Sequence, residues 1–199
     1  LGYKFLDGDG KPVGQGGGEL ARLASIDVSQ RDPRLAEVTI QVACDVDNPL
    51  TGPQGAAPIY GPQKGATPEM GEFLDNALKN YDGVLERCLG KCVGSTPGAG
   101  AAGGLGAGLM ALLDGELGSG IELVLGVLGF KEQTKGADIV FTGEGKFDAQ
   151  SAYGKVPVGV GRQCKELGVP VVVIAGTVLP DAEPLHAEGI TAYFSIMNQ

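Results

Sequence analysis

The chain has 199 residues, 43% of them hydrophobic, enough for one large domain or two small ones with a sizeable core. Its 24 acidic and 15 basic residues give a net charge of −9, which argues against nucleic acid or an anionic membrane surface as the main partner. No stretch reaches the roughly 18 apolar residues of a membrane span, and no signal peptide is visible, so a cytoplasmic protein is expected.

In chain order, Tyr3–Leu6 predicts a strand and Asp7–Gly10 (DGDG) a turn. Glu19–Ala24 predicts a short helix, Asp27–Arg34 a polar loop, and Val38–Cys44 (VTIQVAC) a strand, because β-branched and polar residues alternate. A long segment follows, Ala43–Thr67, dominated by Gly, Pro and Ala and carrying a few polar groups: Asp45, Asp47, Asn48, Gln63 and Lys64. Loops of that length inside a compact domain are uncommon and are usually functional or disordered. The clearest helix comes next. Thr67 can cap it, Pro68 suits its first turn, and Gly90 is a natural stop. Met70, Phe73, Leu74, Ala77, Leu78, Tyr81, Leu85 and Cys88 recur at helical spacing and read as its core face.

Leu105–Leu113 and Ile121–Leu128 predict two further helices. The composition shifts near Phe130–Gly136, the candidate domain boundary. Beyond it, Ala137–Phe141 and Val169–Ala175 read as buried strands, Pro157–Leu167 as a helix, Ala182–Glu188 as a short helix and Thr191–Ile196 as a third strand. Alternation of strand and helix with short returns is the βαβαβ signature of a parallel sheet, so the fold class is α/β. The chain starts at Leu1 within an apparent strand and stops at Gln199 directly after one; both ends read as cut, as in a piece of a longer protein.

Two segments carry candidate chemistry. Open α/β sheets bind ligands beyond the carboxyl ends of their strands. The segment Thr142–Lys155 is placed there and brings Thr142, Gly143, Glu144, Gly145, Lys146, Asp148, Gln150, Ser151 and Lys155. Lys155 lies beside a helix start, where unpaired N–H groups favour an anion, and Glu144 and Asp148 are hard oxygen donors of the kind Mg²⁺ takes. In the Ala43–Thr67 segment, Asp45, Asp47 and Asn48 suit Mg²⁺ or a substrate hydroxyl, while Lys64 suits a carboxylate or phosphate. Phosphoryl transfer needs this inventory: a metal-holding carboxylate, a cation on phosphate and a group that orients the attacking hydroxyl.

Other features are weaker. Glycine, at 35 residues, is about two and a half times its usual share and points to tight turns and close backbone approach. Gly98–Gly103 matches the dinucleotide pattern G-x-G-x-x-G but lacks the preceding strand, which leaves a nicotinamide-dependent oxidoreductase as an alternative. A non-catalytic module that binds a small acid is another. Cys44, Cys88, Cys92 and Cys164 form no zinc set with the single histidine, His186, which suits a surface or cap role.

The blocks VACDVDNPLTGPQGAAPIYGPQKGAT (42–67), GAGAAGGLGAGLMALL (98–113), SGIELVL (119–125), TGEGKFDAQSAYGKVPVGV (142–160) and VPVVVIAG (169–176) resemble the bacterial glycerate kinase family, in order and across nearly the whole chain. The resemblance implies an ATP-dependent, Mg²⁺-requiring kinase that converts D-glycerate to 2-phosphoglycerate. Its expected partners are glycerate and ATP, with no nucleic acid and no membrane. It implies a discontinuous Rossmann-like domain and a second α/β domain with the active site between them. Residues 1–130 are then expected to be the second α/β domain, incomplete, and 131–199 part of the Rossmann-like one. On this reading the chain is an internal fragment without the family's N-terminal segment and C-terminal tail, and inactive alone. Asp45, Asp47 and Asp148 are the expected catalytic residues, and Asn48, Gln63 and Lys64 the expected glycerate contacts. Thr142, Gly143, Glu144, Gly145 and Lys155 are expected at the nucleotide, and Asp47 and Glu144 at the metal.

Overall fold

A computed structural model describes residues 1–152 and 155–197. It forms two compact units, Leu1–Leu117 and Gly118–Gln199.

In the first unit, β1 (Lys4–Asp7) pairs antiparallel with β2 (Leu23–Asp27), Lys4 opposite Asp27. Asp7 makes the turn after β1. Its carboxylate accepts from Asp9 N at 3.0 Å and Lys11 N at 2.9 Å, and Arg22 reaches its other oxygen at 2.9 Å. These bonds hold the buried Asp7 carboxyl below the ordinary carboxylate range, the Lys11 N–H foremost. A 3-10 turn, Gly17–Arg22, stands where a helix over Glu19–Ala24 is predicted. β3 (Gln41–Ala43) is a shorter piece of the predicted Val38–Cys44 strand and pairs with β4 (Glu116–Gly118).

The predicted structureless Ala43–Thr67 loop contains α1 (Ala56–Tyr60) and a 3-10 turn, Pro62–Lys64. α2 (Pro68–Leu89) starts and stops where its signals place it. Thr67 Oγ1 accepts from Met70 N at 3.3 Å, and Gly90 closes the helix at φ 68°. It buries Ala77, Leu78, Tyr81, Val84 and Leu85, and α3 (Leu105–Leu113) buries Ala107 and Ala111. With Leu23, Ile26 and Leu50 these make one core. Met70 and Phe73, read as core, are both 54% exposed: the core begins a turn further along the helix.

The second unit opens with α4 (Gly120–Val127), upstream of the composition shift at Phe130–Gly136, and α5 (Phe130–Thr134), within it. It includes them because Ile121, Leu125 and Phe130 join its core. β5 (Val140–Phe147), β6 (Val171–Val178) and β7 (Ile190–Ser195) form a parallel sheet in the order β5-β6-β7, with α6 (Val156–Leu167) as the first crossover. A 3-10 segment, Pro180–Glu188, makes the second. One sheet face buries Val171, Val173 and Ala175 with Val158 and Cys164 of α6. Gly159 lets α6 approach α4, since a Cβ there would stand 2.6 Å from Ile121 Cγ1. The other face presents Phe141, Ile174 and Phe194, 63%, 44% and 60% exposed, with Ile174 in register with Gly143 and Phe194.

The expected α/β layering of the first part is corrected: residues 1–117 enclose a core of their own in which Leu50, Val84 and Leu85 are fully buried. They do so around one long helix and two-stranded pairs rather than a layered α/β sheet.

Candidate functional site: a lysine-flanked aspartate and a pinned loop

Parallel strands end at their carboxyl edge in loops that carry ligand chemistry. Here β5 continues to Phe147, because Lys146 and Phe147 pair with Thr177 and Val178. Thr142, Gly143, Glu144 and Gly145 are therefore strand residues, not the loop the sequence suggests. Glu144 Oε1 accepts from its neighbour Gly145 N at 3.2 Å.

The loop proper starts at Asp148, which is 3% exposed. Lys146 Nζ lies 3.0 Å from its Oδ2 and Lys155 Nζ 3.5 Å from its Oδ1. Ser151, fully buried, accepts from Asp148 N at 3.2 Å and from Lys155 Nζ at 3.2 Å. The Lys146 hydrogen bond is the main cause that holds the Asp148 carboxyl below its ordinary range, against the opposing effect of burial, with Lys155 adding to it. Lys155 is also the N-cap residue of α6 and makes no side-chain cap there. Two ammonium groups and a helix start thus meet around one carboxylate, a cluster able to receive an anion. Asp148 and Lys155 were singled out from sequence. Lys146 and Ser151 stood in the same segment without an assigned role. Tyr153 and Gly154 of that segment lie outside the described residues.

In the first unit, Asp45 and Asp47 are exposed ahead of α1. Asn48 is largely committed to structure. Its Oδ1 accepts from Tyr60 OH at 2.5 Å, its Nδ2 donates to Gln54 O at 2.8 Å, and its carbonyl accepts from Gly100 N at 2.9 Å. That leaves one amide hydrogen for a ligand. Asp75 Oδ1 accepts from Gly52 N at 2.9 Å and pins the same loop to α2. Sequence reasoning missed Tyr60 and Asp75, since neither bond has a local sequence signal. Gln63 and Lys64 are exposed in the Pro62–Lys64 turn. Lys64 borders a cavity of about 260 Å³ with Tyr60, Leu74 and Leu78, an apolar setting rather than a cradle for phosphate.

The glycine run 98–103 has a packing role. Gly98 and Gly100 are buried; a Cβ on Gly100 would stand 2.3 Å from Pro49 O, and one on Gly98 2.9 Å from Cys44 Sγ. Two of the three pattern glycines, Gly98 and Gly100, are thus packed against protein where a pyrophosphate would have to approach, so nothing here favours the oxidoreductase alternative. His186 caps locally, Nδ1 lying 2.7 Å from Ile190 O, and stacks on Tyr193.

A three-stranded parallel sheet with a lysine-flanked aspartate at the end of β5 marks the second unit as α/β. The chain belongs to the glycerate kinase family: the profile described as "Glycerate kinase family" matches residues 1–199. It is 52% identical to the glycerate kinase of Halalkalibacterium halodurans over 99% of this chain and 52% of that protein. It is 49% identical to the glycerate 2-kinase of Escherichia coli K12 over 99% of this chain and 52% of that protein. The crystal structure of "putative glycerate kinase 2" from Salmonella typhimurium LT2 matches with a TM-score of 0.85 at 47% identity. That match covers 98% of this chain and 50% of that one. The chain therefore spans about half the length of the curated relatives it matches. The internal-fragment reading, drawn from the chain ends and the resemblance, is corrected: the family profile runs through residues 1–199, and the ends themselves carry no conclusion.

Proposed function

We propose that this chain serves ATP-dependent transfer of a phosphoryl group to a hydroxyl of D-glycerate, giving 2-phosphoglycerate. The observation that carries the reading is the Lys146–Asp148–Lys155 cluster at the carboxyl end of β5, in a chain of the glycerate kinase family. Lys155 and Lys146 hold nucleotide phosphate, a role that suits two ammonium groups beside the start of α6. Thr142, Gly143, Glu144 and Gly145 flank the nucleotide along β5. Asp148 orients both lysines and acts near the attacking oxygen.

Magnesium bound through substrate phosphates needs only one or two protein carboxylates. Exposed Asp45 and Asp47 and the half-buried Glu144 are suitable oxygen donors, although no group of three or more potential ligands converges among the described residues. When bound, the ion neutralises charge on the transferring phosphate. Asn48, through its remaining amide hydrogen, and Gln63 and Lys64 contact glycerate. The assignment of residues 1–130 and 131–199 to the family's second α/β and Rossmann-like domains belongs to the same proposal. Among the described residues no helix is long and apolar enough to cross a membrane, which fits a cytoplasmic kinase.

The test is ATP consumption by the purified chain, with the product read by phosphorus NMR. Consumption should require both D-glycerate and Mg²⁺ and yield 2-phosphoglycerate. Asp148→Asn should lower kcat by about a hundredfold or more. ATP turnover indifferent to glycerate, or Asp148→Asn and Lys155→Ala variants at full rate, refutes the reading.

A further inference from the structure

Beside the pinned loop, on the α2 side, lies a cavity of about 630 Å³, a size typical of small-molecule sites. Its walls are the rings of Pro53, Pro58, Pro62 and Pro68 over Ala57 and Ala66. Proline rings fix their own backbone φ, and two sets of bonds hold the wall in place. Asp75 anchors Gly52, and Asn48 ties Gln54 to Tyr60. The surface is thus preformed and flat-sided, and binding loses little to ordering.

Its charge selects the ligand. The start of α2 faces the cavity and by itself favours an anion, but its donors are already used. Thr67 Oγ1 accepts from Met70 N, and the Glu69 carboxylate accepts from its own N–H, the main cause that lowers its carboxyl below the ordinary range. Asp75 is balanced by Lys79 at 2.8 Å. Glu72, on the rim, has no hydrogen-bond or ion-pair partner among the described residues. The cavity is therefore apolar, flat-walled and negative by one uncompensated carboxylate.

We propose that this cavity binds a small molecule that joins a flat apolar ring to a positive charge, an arylamidinium or arylalkylammonium, with the ring between the prolines and the cation at Glu72. Glycerate and ATP are anions, which this rim repels, so the site is separate from the reaction proposed above and stands independently of it.

The probes are benzamidine, benzyl alcohol and benzoate, titrated into the ¹⁵N-labelled 199-residue chain while amide shifts are followed. Benzamidine should move the amides of Gly52, Gly71 and Glu72 with a Kd of about 1 mM, a fragment-scale affinity. It should bind about fivefold more tightly than benzyl alcohol, the upper range of a solvent-accessible ion pair, and benzoate more weakly than either. Glu72→Gln should erase the difference between benzamidine and benzyl alcohol. Gly71→Leu should abolish binding of all three by filling the cavity. Position 71 has open space around its Cβ and lies in a helix, so this variant should unfold no earlier than the parent, which separates blocking from misfolding. Benzoate binding as tightly as benzamidine overturns the proposal. So do shifts that centre on the separate cavity lined by Tyr3, Tyr81 and Leu112, binding indifferent to both variants, or no shift at about 10 mM probe.

Discussion

Gly100→Ala tests whether the glycine run is packing or chemistry. Gly100 has φ −78° and ψ −7°, a conformation open to alanine, so the backbone itself resists nothing. The obstacle is steric. The new methyl would stand 2.3 Å from Pro49 O and 3.1 Å from Asn48 O, both backbone atoms that cannot swing aside. Inserting a methyl into a packed interior costs about 1–3 kcal/mol. With an urea m-value of about 2 kcal/mol per molar, the unfolding midpoint should fall by roughly 0.5–1.5 M. Far-UV circular dichroism across a urea series measures it. Hydrogen exchange locates it: the bonds Gly100 N to Asn48 O and Leu50 N to Gly94 O lie on either side of the intrusion, so both amides should lose protection. Gly71→Ala is the reference in the same unit, with nothing within 4 Å of its Cβ, and should gain about 0.5–1 kcal/mol from helix propensity. An unchanged midpoint and unchanged protection in Gly100→Ala would falsify the packing account.

Three further outcomes are expected. Tyr60→Phe removes the bond to Asn48 Oδ1 and should cost about 0.5–1.5 kcal/mol, read by faster exchange of amides over residues 48–60; exchange as slow as in the parent shows that the hydroxyl does not pin the loop. The folded Asp148 carboxyl titrates below its ordinary value, so the stability it supplies is complete above the unfolded pKa and is lost as pH falls through the lower folded one. Urea midpoints of the parent and Asp148→Asn should therefore converge below about pH 4, and a gap that persists at pH 2 contradicts the ion-pair account. Burial pushes the Tyr81 phenol up to about 12, with nearby Asp82 adding to it, so its contribution holds below pH 10 and fades as pH rises through the folded value. Ultraviolet titration should show a tyrosine step near pH 12, and Tyr81→Phe should remove that late step.

Local chemistry explains what was legible. α2 could be delimited because Thr67, Pro68 and Gly90 act on the residues beside them. The run Val171–Ala175 announces a buried strand by composition alone. Periodicity, however, gives a face and not a depth, which is why Met70 and Phe73 lie on the apolar stripe yet stand outside the core. α1 has five residues, one a proline, too few to show a period. Gly143, Gly145 and Lys146 hide the last half of β5, whose strand character comes from its pairing with β6. At the site, Asp148 stood out as a hard oxygen donor suited to Mg²⁺, but its burial and its two lysine partners come only with the fold. Asn48 reads as a ligand contact because its type suits one; only the fold brings Tyr60 to its oxygen.

The sheet face that presents Phe141, Ile174 and Phe194 has a consequence for how this chain behaves in solution. Its rows pair Phe141 with Val172 and Ala192, and Gly143 with Ile174 and Phe194, without an ionisable group among them. Titration therefore cannot quiet this patch. Molecules carrying the net charge of −9 repel one another at low ionic strength, and salt that screens this repulsion leaves apolar attraction in place. The osmotic second virial coefficient should then turn from positive to negative as salt rises. Sulfate should bring the crossing at lower ionic strength than chloride, because it also strengthens apolar association.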